Sequence, residues 1–239
     1  MKKIIVLTGF LFLVLGTVVA DSFKVGELFY EIIDPKGKTV RVVFHHTRPY
    51  DNLTKVEIPS QIKYEGKKYT VVEIGDRAFS LCDMLQELIL PPTLQKIGFK
   101  SFSKCASLPM VILPASLEEI GELAFEKCIS LQSIDIPQKV TKIRPFTFSF
   151  CAELATIILP AACVELEDGA FWECRSLTKI TSFAVEPPAM ALPSKQNNGS
   201  FFKQTATQCT VFVPKNSKTK YAESDWGKMF DVEKIVESN

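Results

Sequence analysis

Hydrophobic residues recur along the chain at a constant interval of 23 residues, and this repeat is the dominant pattern of the sequence. Within each unit an isoleucine or leucine precedes a phenylalanine, a cysteine and a second leucine at fixed offsets, and a proline ends most units. The phenylalanine and cysteine columns contain Phe79, Phe102, Phe125, Phe148 and Phe171, and Cys82, Cys105, Cys128, Cys151 and Cys174. Columns that keep one spacing over five units predict a stack of similar coils around a continuous apolar core.

Each unit contains one segment typical of a strand and one typical of a short helical turn. Apolar and variable positions alternate from Leu131 to Pro137, which predicts a half-buried strand that ends at the proline because proline has no N–H. Along residues 120–128 the apolar residues are spaced by three to five, which favours a short helix or 3₁₀ turn as a return arm. The prediction is an α/β solenoid with a parallel sheet on its concave side and short helical or 3₁₀ return arms.

The units resemble those of the BspA-type leucine-rich-repeat family, whose motif reads I-G-x-x-A-F-x-x-C-x-x-L-x-x-I-x-[IL]-P. Residues 74–82 read IGDRAFSLC and residues 120–128 read IGELAFEKC, and the resemblance covers roughly residues 53–235. Arg144 and Glu167 replace the glycine in two units. Members of this family are bacterial surface and secreted proteins. The resemblance therefore implies a leucine-rich-repeat solenoid, surface exposure, and adhesion to host or neighbouring-cell components.

The first twenty residues have the three-part pattern of a secretory signal peptide. Lys2 and Lys3 precede an apolar run from Ile4 to Leu15, and small residues follow at 16–20 before Asp21. The apolar run is shorter than the ~20 residues that a helix needs to span the bilayer core. We therefore expect cleavage near Asp21, export, and no membrane insertion of the mature chain. The pattern leaves secretion, cell-surface attachment and a periplasmic location open.

Irregular segments flank the regular units. Surplus residues in the first unit predict a hairpin insertion at about 60–70, with Gly66 at its turn. A Pro- and Asn-rich stretch at 186–208 predicts an exposed loop in the last repeat. The predicted parts are a signal peptide at 1–20, an N-terminal β-hairpin cap at 21–52, the repeats at 53–183, and an irregular last repeat with a C-terminal cap at 184–239.

The composition gives no reason to expect nucleic acid as a partner, because 28 basic residues balance 27 acidic ones in the 239-residue chain. The sequence has two histidines and contains no Gly-rich phosphate loop, nucleophile elbow or metalloprotease helix. His45 and His46 are expected at adjacent strand positions, where their side chains would point to opposite faces and could not share a metal ion. The prediction is a non-enzymatic protein with no catalytic, metal-binding or cofactor-binding residues and no cofactor.

Seven cysteines in an exported chain would ordinarily indicate disulfides, but five of them occupy one column of the repeat. In-register stacking would hold their Cβ atoms about 4.8 Å apart, farther than the roughly 3.5–4.5 Å of a disulfide. We expect a buried ladder of free thiols, with Cys163 as a core substitution and Cys209 outside the column. Zinc is disfavoured because tetrahedral ligation needs convergent cysteines, and a thiol-dependent enzyme would require one of them to be reactive.

The variable strand positions are the candidate binding residues, because solenoids use their open concave surface for recognition. Three isoleucines and a methionine on neighbouring strands are expected to form an apolar patch with polar ends, the composition of a protein-contact surface. The predicted face comprises Glu57, Glu87, Ile89, Met110, Ile112, Ser133, Asp135, Thr156, Ile158, Lys179 and Thr181.

Two functions fit this face. The first is adhesion-type recognition of a protein or glycan, with extracellular-matrix and neighbouring-cell components as candidate partners. The second is a structural module of the cell envelope that self-assembles through the same apolar strip, for instance as a homodimer. A further alternative is that the face is covered, and the loop at 186–208 is the candidate cover.

Overall fold

The computed structural model describes residues 22–48, 50–190 and 208–238. The predicted signal peptide at 1–20 and most of the predicted loop at 186–208 lie outside these described residues. Within the described ranges, no helix is both long enough and apolar enough to cross a membrane.

The N-terminal part contains six strands: β1 (Phe23–Val25), β2 (Leu28–Asp34), β3 (Thr39–Val42), β4 (Lys55–Glu57), β5 (Gln61–Tyr64) and β6 (Lys67–Ile74). Strands β1, β2 and β3 pair antiparallel in that order, and β3 then pairs in parallel with β6. Strands β5 and β6 form an antiparallel hairpin that turns at Glu65 and Gly66. Both turn residues have positive φ, 48° and 75°, which is the left-handed geometry of a tight two-residue hairpin turn.

The remaining elements are β7 (Glu87–Ile89), β8 (Lys96–Ile97), β9 (Glu119–Ile120), β10 (Ser133–Asp135), β11 (Lys142–Ile143), β12 (Thr156–Leu159), β13 (Glu165–Leu166), β14 (Lys179–Ser182), β15 (Ala189–Met190), β16 (Thr210–Val213), α1 (Lys218–Glu223), α2 (Asp225–Met229), a 3₁₀ turn (Val232–Lys234) and β17 (Ile235–Glu237). The first ladder contains β4 and β7 and then β10, β12, β14, β16 and β17. The second contains β6, β8 and β9 and, after an interruption, β11, β13 and β15. Pairing between coils is parallel in both ladders. Each coil thus has three sides: the first ladder, the second ladder, and a turn side that carries the phenylalanines and cysteines.

The first ladder is interrupted after β7, and the interruption has a sequence cause at Pro109. Gln132 occupies the equivalent position one coil later and donates its N–H to the Pro109 carbonyl oxygen at 3.1 Å. Proline has no N–H, so this coil makes no such bond back to β7, and Met110 forms only an isolated bridge to β10. Stacking continues across the gap, because the Ser107 N–H still donates to the Asp83 carbonyl oxygen at 3.2 Å.

The return arms of the described repeats are turns, so the prediction of helical or 3₁₀ arms is wrong. Phe102 and Lys104 donate their N–H groups to the next coil, to the carbonyl oxygens of Ala124 and Glu126, at 2.8 and 2.7 Å. In an α-helix each of these N–H groups would instead donate to the carbonyl oxygen of the residue four positions earlier in the same coil. The alternate N–H groups close single turns within the coil. Because half of the N–H groups bond to the neighbouring coil, the return arm does not form a helix.

A column of stacked phenylalanine rings fills the core on the turn side. The rings of Phe79, Phe102, Phe125, Phe148 and Phe171 are buried, with successive centroids 5.3–5.5 Å apart and planes within 2–12° of parallel. Tyr50 packs against Phe79 at one end of the column. In the C-terminal part Trp226 is fully buried and donates its Nε1–H to the Pro188 carbonyl oxygen at 2.8 Å. The core is thus built from contacts between coils, as in other solenoids.

The substitution Phe125→Ala should lower the free energy of unfolding by about 3–5 kcal/mol, because it leaves a cavity in the middle of the column. Urea denaturation followed by circular dichroism measures this loss. Met84→Ala is the control, since Met84 is an exposed apolar residue and its truncation should cost about 0.5 kcal/mol or less. Equal losses for the two variants would contradict a core that depends on the phenylalanine column.

Candidate binding surface

The outer side of the first ladder presents two parallel rows of side chains, which we call the strand face. Successive strand residues point to opposite sides, so the middle residue of each short strand is buried, as at Val56 and Ile134, and its neighbours face outward. In-register pairing aligns the outward residues between coils. The first row comprises Lys55, Glu87, Met110, Ser133, Thr156, Lys179 and Thr210, and the second comprises Glu57, Ile89, Ile112, Asp135, Ile158, Thr181, Phe212 and Val236.

All residues of the predicted face lie in these two rows, and none of them is buried. Ile112 is 73% exposed, Met110 is 58% exposed and Ile89 is 40% exposed. Most of the neighbouring residues are polar, and Lys55 and Glu87 form an ion pair at 2.8 Å. Large aliphatic side chains that are this exposed and grouped on a regular scaffold make this face the candidate contact surface.

The apolar residues form two groups rather than the single patch that the sequence suggests. Asp135 is exposed and pairs in register with Ile158, so a carboxylate lies between Ile112 and Ile158 in the second row. The N-terminal group comprises Ile89, Met110 and Ile112, and the C-terminal group comprises Phe212 and Val236. Ile158 lies between the two groups, with Asp135 on one side and Thr181 on the other. On the strand face, the most exposed apolar side chains therefore lie in the coils on either side of the break at Pro109.

The predicted face does not include the outward residues of the last two strands. Strand β16 pairs with β14 and places Phe212 beside Thr181, and β17 then places Val236 beside Phe212. The Lys179 ammonium lies 5.0 Å from the centroid of the Phe212 ring. The alternating pattern of residues 211–213 could have identified Phe212. Strand β17 carries no leucine motif, so the sequence offered no comparable signal for Val236.

The second ladder carries a row of alternating charges that sequence reasoning also missed. Nζ of Lys142 lies 2.6 Å from a carboxylate oxygen of Glu165 in the next coil, and Lys96 contacts Glu119 at 3.3 Å. The Glu165 carboxylate accepts a hydrogen bond from Lys142 and raises the pKa of that lysine. The row reads Glu31, Arg41, Glu73, Lys96 and Glu119 in one sheet and, after an interruption between β9 and β11, Lys142 and Glu165 in the next. A slip of one residue would separate every pair, so this row favours the observed register.

A groove of about 600 Å³ runs along the turn side, beside the cysteine column. Leu81, Ile129 and Phe150 supply its apolar surface, and its charged lining is mixed. Arg175 is already paired with Glu173, at 2.7 Å. The charge pattern of the groove therefore favours neither an anionic nor a cationic ligand. The strand face is the better-defined candidate surface.

The five column cysteines form the predicted ladder of buried free thiols, and Cys163 and Cys209 are also free and buried. Four thiols donate across the stack to carbonyl oxygens of the preceding coil, for example Cys128 Sγ to the Phe102 oxygen at 3.2 Å. Burial raises the pKa of Cys163 to about 11 and the pKa values of Cys82, Cys128 and Cys209 to about 12. These thiols are therefore protonated at neutral pH and are poor nucleophiles.

The prediction that His45 and His46 point to opposite faces is wrong. Strand β3 ends at Val42, so the strand alternation does not extend to the histidines. Their rings lie together, with centroids 4.3 Å apart, and His45 also stacks on Phe29 at 3.8 Å. Among the described residues, no three His, Cys, Asp or Glu side chains converge as metal ligands.

Parallel ladders, 23-residue coils and a leucine motif on each strand define the class of this protein as a leucine-rich-repeat solenoid. The BspA type leucine rich repeat region matches residues 72–185 in six copies. Residues 72–185 of this chain are therefore a BspA-type leucine-rich-repeat region.

The solved structures that are similar to this chain include the following two. The leucine rich repeat protein of T. pallidum is 27% identical, with a TM-score of 0.54, over 69% of this chain and 86% of that chain. A leucine rich cell surface protein from Faecalibacterium prausnitzii A2-165 is 21% identical, with a TM-score of 0.55, over 81% of this chain and 70% of that chain. No curated protein matches the chain.

The folded protein should resist alkylation by iodoacetamide at pH 9, because the reactive thiolate is scarce when the pKa lies near 11 or 12. In urea the ordinary thiol pKa of about 8.5 is restored, and all seven cysteines should react. Mass spectrometry of the labelled protein gives the number of alkylated cysteines. Rapid labelling of any column cysteine in the folded protein would contradict the buried ladder.

The substitution Lys142→Glu should lower the melting temperature more than Lys142→Gln does. The glutamate would lie beside Glu165, the in-register partner of residue 142 on β13, and like charges on neighbouring strands repel each other. In 1 M NaCl the difference between the two variants should shrink, because salt screens exposed charges. A difference that does not depend on salt would show that the alternating row does not act through charge.

Proposed function

We propose that this chain is an exported, non-enzymatic recognition protein of the adhesion type, and that it binds a protein partner through the strand face. The exposure of Met110 and Ile112 carries this proposal. Burying a side chain of this size against a partner contributes about 1.5–3 kcal/mol. Ser133 and Asp135 lie beside them as part of a polar rim, which is the usual anatomy of a protein contact.

A protein partner fits this surface better than a glycan does. Aliphatic side chains at Ile89, Met110 and Ile112 offer no hydrogen bonds to sugar hydroxyls, but they complement the apolar surface of another protein. The first ladder is interrupted at the coil of Met110 and Ile112, but bonds on the turn side, such as the one from Ser107 N–H to the Asp83 carbonyl oxygen, still hold the coil in the stack. A surface held in place in this way loses less entropy on binding.

The class of the protein supports the same role. BspA-type leucine-rich-repeat proteins are in general binding modules, and the similar protein from F. prausnitzii is described as a cell surface protein. The protonated, buried thiols argue against a thiol-dependent enzyme. We therefore propose a location outside the cytoplasm, where an exposed repeat surface can meet a partner.

Purified protein should bind a component of an array of extracellular-matrix proteins, and Met110→Lys and Ile112→Lys should each weaken that binding at least tenfold. A lysine places an unpaired charge at the centre of an apolar contact. Val164→Lys is the matched control, because Val164 is 56% exposed but lies on another side of the coil, beside β13. Equal binding by all three variants would contradict a partner site on the strand face.

A glycan array and light scattering complete this experiment. Glycan binding that survives Ile112→Lys would place the recognition site elsewhere. The wild-type protein could instead form a dimer that Ile112→Lys converts to a monomer, with no partner on the arrays. That result would contradict recognition and assign the strand face to self-association.

A further inference from the structure

The first ladder begins at β4, and no strand of the described residues pairs with the outer edge of β4. The reason lies in the N-terminal sheet, which covers only one side of the first coil. Strand β3 pairs with β6 and so extends the second ladder by β3, β2 and β1. Strand β4 pairs only with β7 and forms a two-stranded sheet with it. The two ladders therefore end differently at the N-terminal end of the stack.

The register between β4 and β7 defines which backbone groups face the open edge. The Glu87 N–H donates to the Thr54 carbonyl oxygen at 3.0 Å, so the N–H and C=O of Val56 also point toward β7. The N–H and C=O groups of Lys55 and Glu57 point the opposite way. Within the described residues these four groups have no hydrogen-bond partner. A strand is the structure that pairs with such a row of donors and acceptors.

A groove of about 350 Å³ lies along this edge. Its apolar lining comes from β1, β2, β5 and the segments around β4, and includes Val25, Leu28, Leu53, Pro59 and Ile62. The Lys55 side chain leaves the edge open, because its ammonium is bonded to Glu87 on the β7 side, at 2.8 Å. The Glu57 carboxylate is exposed. The edge thus combines unpaired backbone, an apolar wall and one charge of each sign.

We propose that the β4 edge binds an extended peptide segment of a partner protein, which adds to the first ladder as a further strand. Parallel pairing in register would place an apolar residue of the peptide beside Val56, over the groove. It would also place an acidic residue beside Lys55 and a basic residue beside Glu57, as in the charge pairs elsewhere in the stack. The partner is therefore a segment with alternating apolar residues and the charge order acidic, apolar, basic.

The synthetic peptide LQEIKIP is the probe. It follows the strand pattern of residues 131–137 and carries glutamate and lysine at its two outward positions. Glu57→Pro removes the outward N–H without affecting any bond to β7, and proline is tolerated where an edge N–H faces away from the sheet. Glu57→Ala is the matched control, since it also loses the carboxylate but keeps the N–H.

Titration calorimetry or fluorescence should show that the wild-type protein binds the peptide. Glu57→Pro should bind at least tenfold more weakly than Glu57→Ala, because a hydrogen bond is lost and the proline ring blocks approach. Ile112→Lys should bind the peptide like the wild type, which separates this edge from the strand face. Equal affinity of the proline and alanine variants, or no wild-type binding at about 1 mM peptide, would overturn the proposal.

Hydrogen exchange on the wild-type protein is a second readout that does not depend on a variant folding. The Lys55 and Glu57 amides should exchange rapidly in the free protein and slow at least tenfold when the peptide is added. Slow exchange of both amides before the peptide is added would show that the edge is already covered. Unchanged exchange in saturating peptide would show that the peptide binds elsewhere, and either result overturns the proposal.

Discussion

Hydrogen bonding between neighbouring coils is the interaction on which the rest of this structure depends. On the turn side alternate N–H groups bond to the next coil, and on the other two sides the parallel ladders do the same. A coil of 23 residues cannot bury its own inner face, so it gains stability only when a neighbour covers it. Because the same bonds recur from coil to coil, one register is kept along the stack. The phenylalanine rings, thiols and charge pairs all align for this reason.

The same register produces the candidate site. Outward residues of successive strands fall into rows, so a few exposed positions per coil become a continuous surface. Pro109 interrupts the ladder without breaking the stack, and the most exposed apolar residues, Met110 and Ile112, lie immediately after it. The N-terminal sheet caps the second ladder and leaves the first open, which gives the stack its second candidate contact at β4. Both surfaces follow from how the backbone bonds are distributed.

The repeat, the solenoid class and the family could be predicted from the sequence, because a periodic apolar pattern reports which residues share a core. The arms could not be predicted, since apolar spacings of three to five suit a helix as well as a series of turns. A helix and a series of turns differ in which carbonyl oxygen accepts the N–H of residues such as Phe102, and the sequence does not show this. Cross-coil pairs such as Lys142 and Glu165 require the register, which no single unit contains.

The outward positions of the candidate face could be predicted residue by residue, but the grouping of its apolar residues could not. The alternating strand pattern identified the outward positions, whereas the division of the apolar patch depends on Asp135 pairing beside Ile158. The histidine pair shows a limit of the same argument, because strand alternation holds only as far as the strand extends. Val236 was missed for another reason, since β17 joins the ladder without the leucine motif.

Native-state hydrogen exchange of the inter-coil amides tests the central claim most directly. The N–H groups of Phe102 and Phe125 bond only to the following coil, at 2.8 and 2.9 Å, while the N–H of Cys128 bonds within its own coil. If stacking holds each coil in shape, the Phe102 and Phe125 amides should be as protected as the most protected amides of the protein, because they open only when coils separate. Rapid exchange of these two amides while Cys128 stays protected would contradict the account.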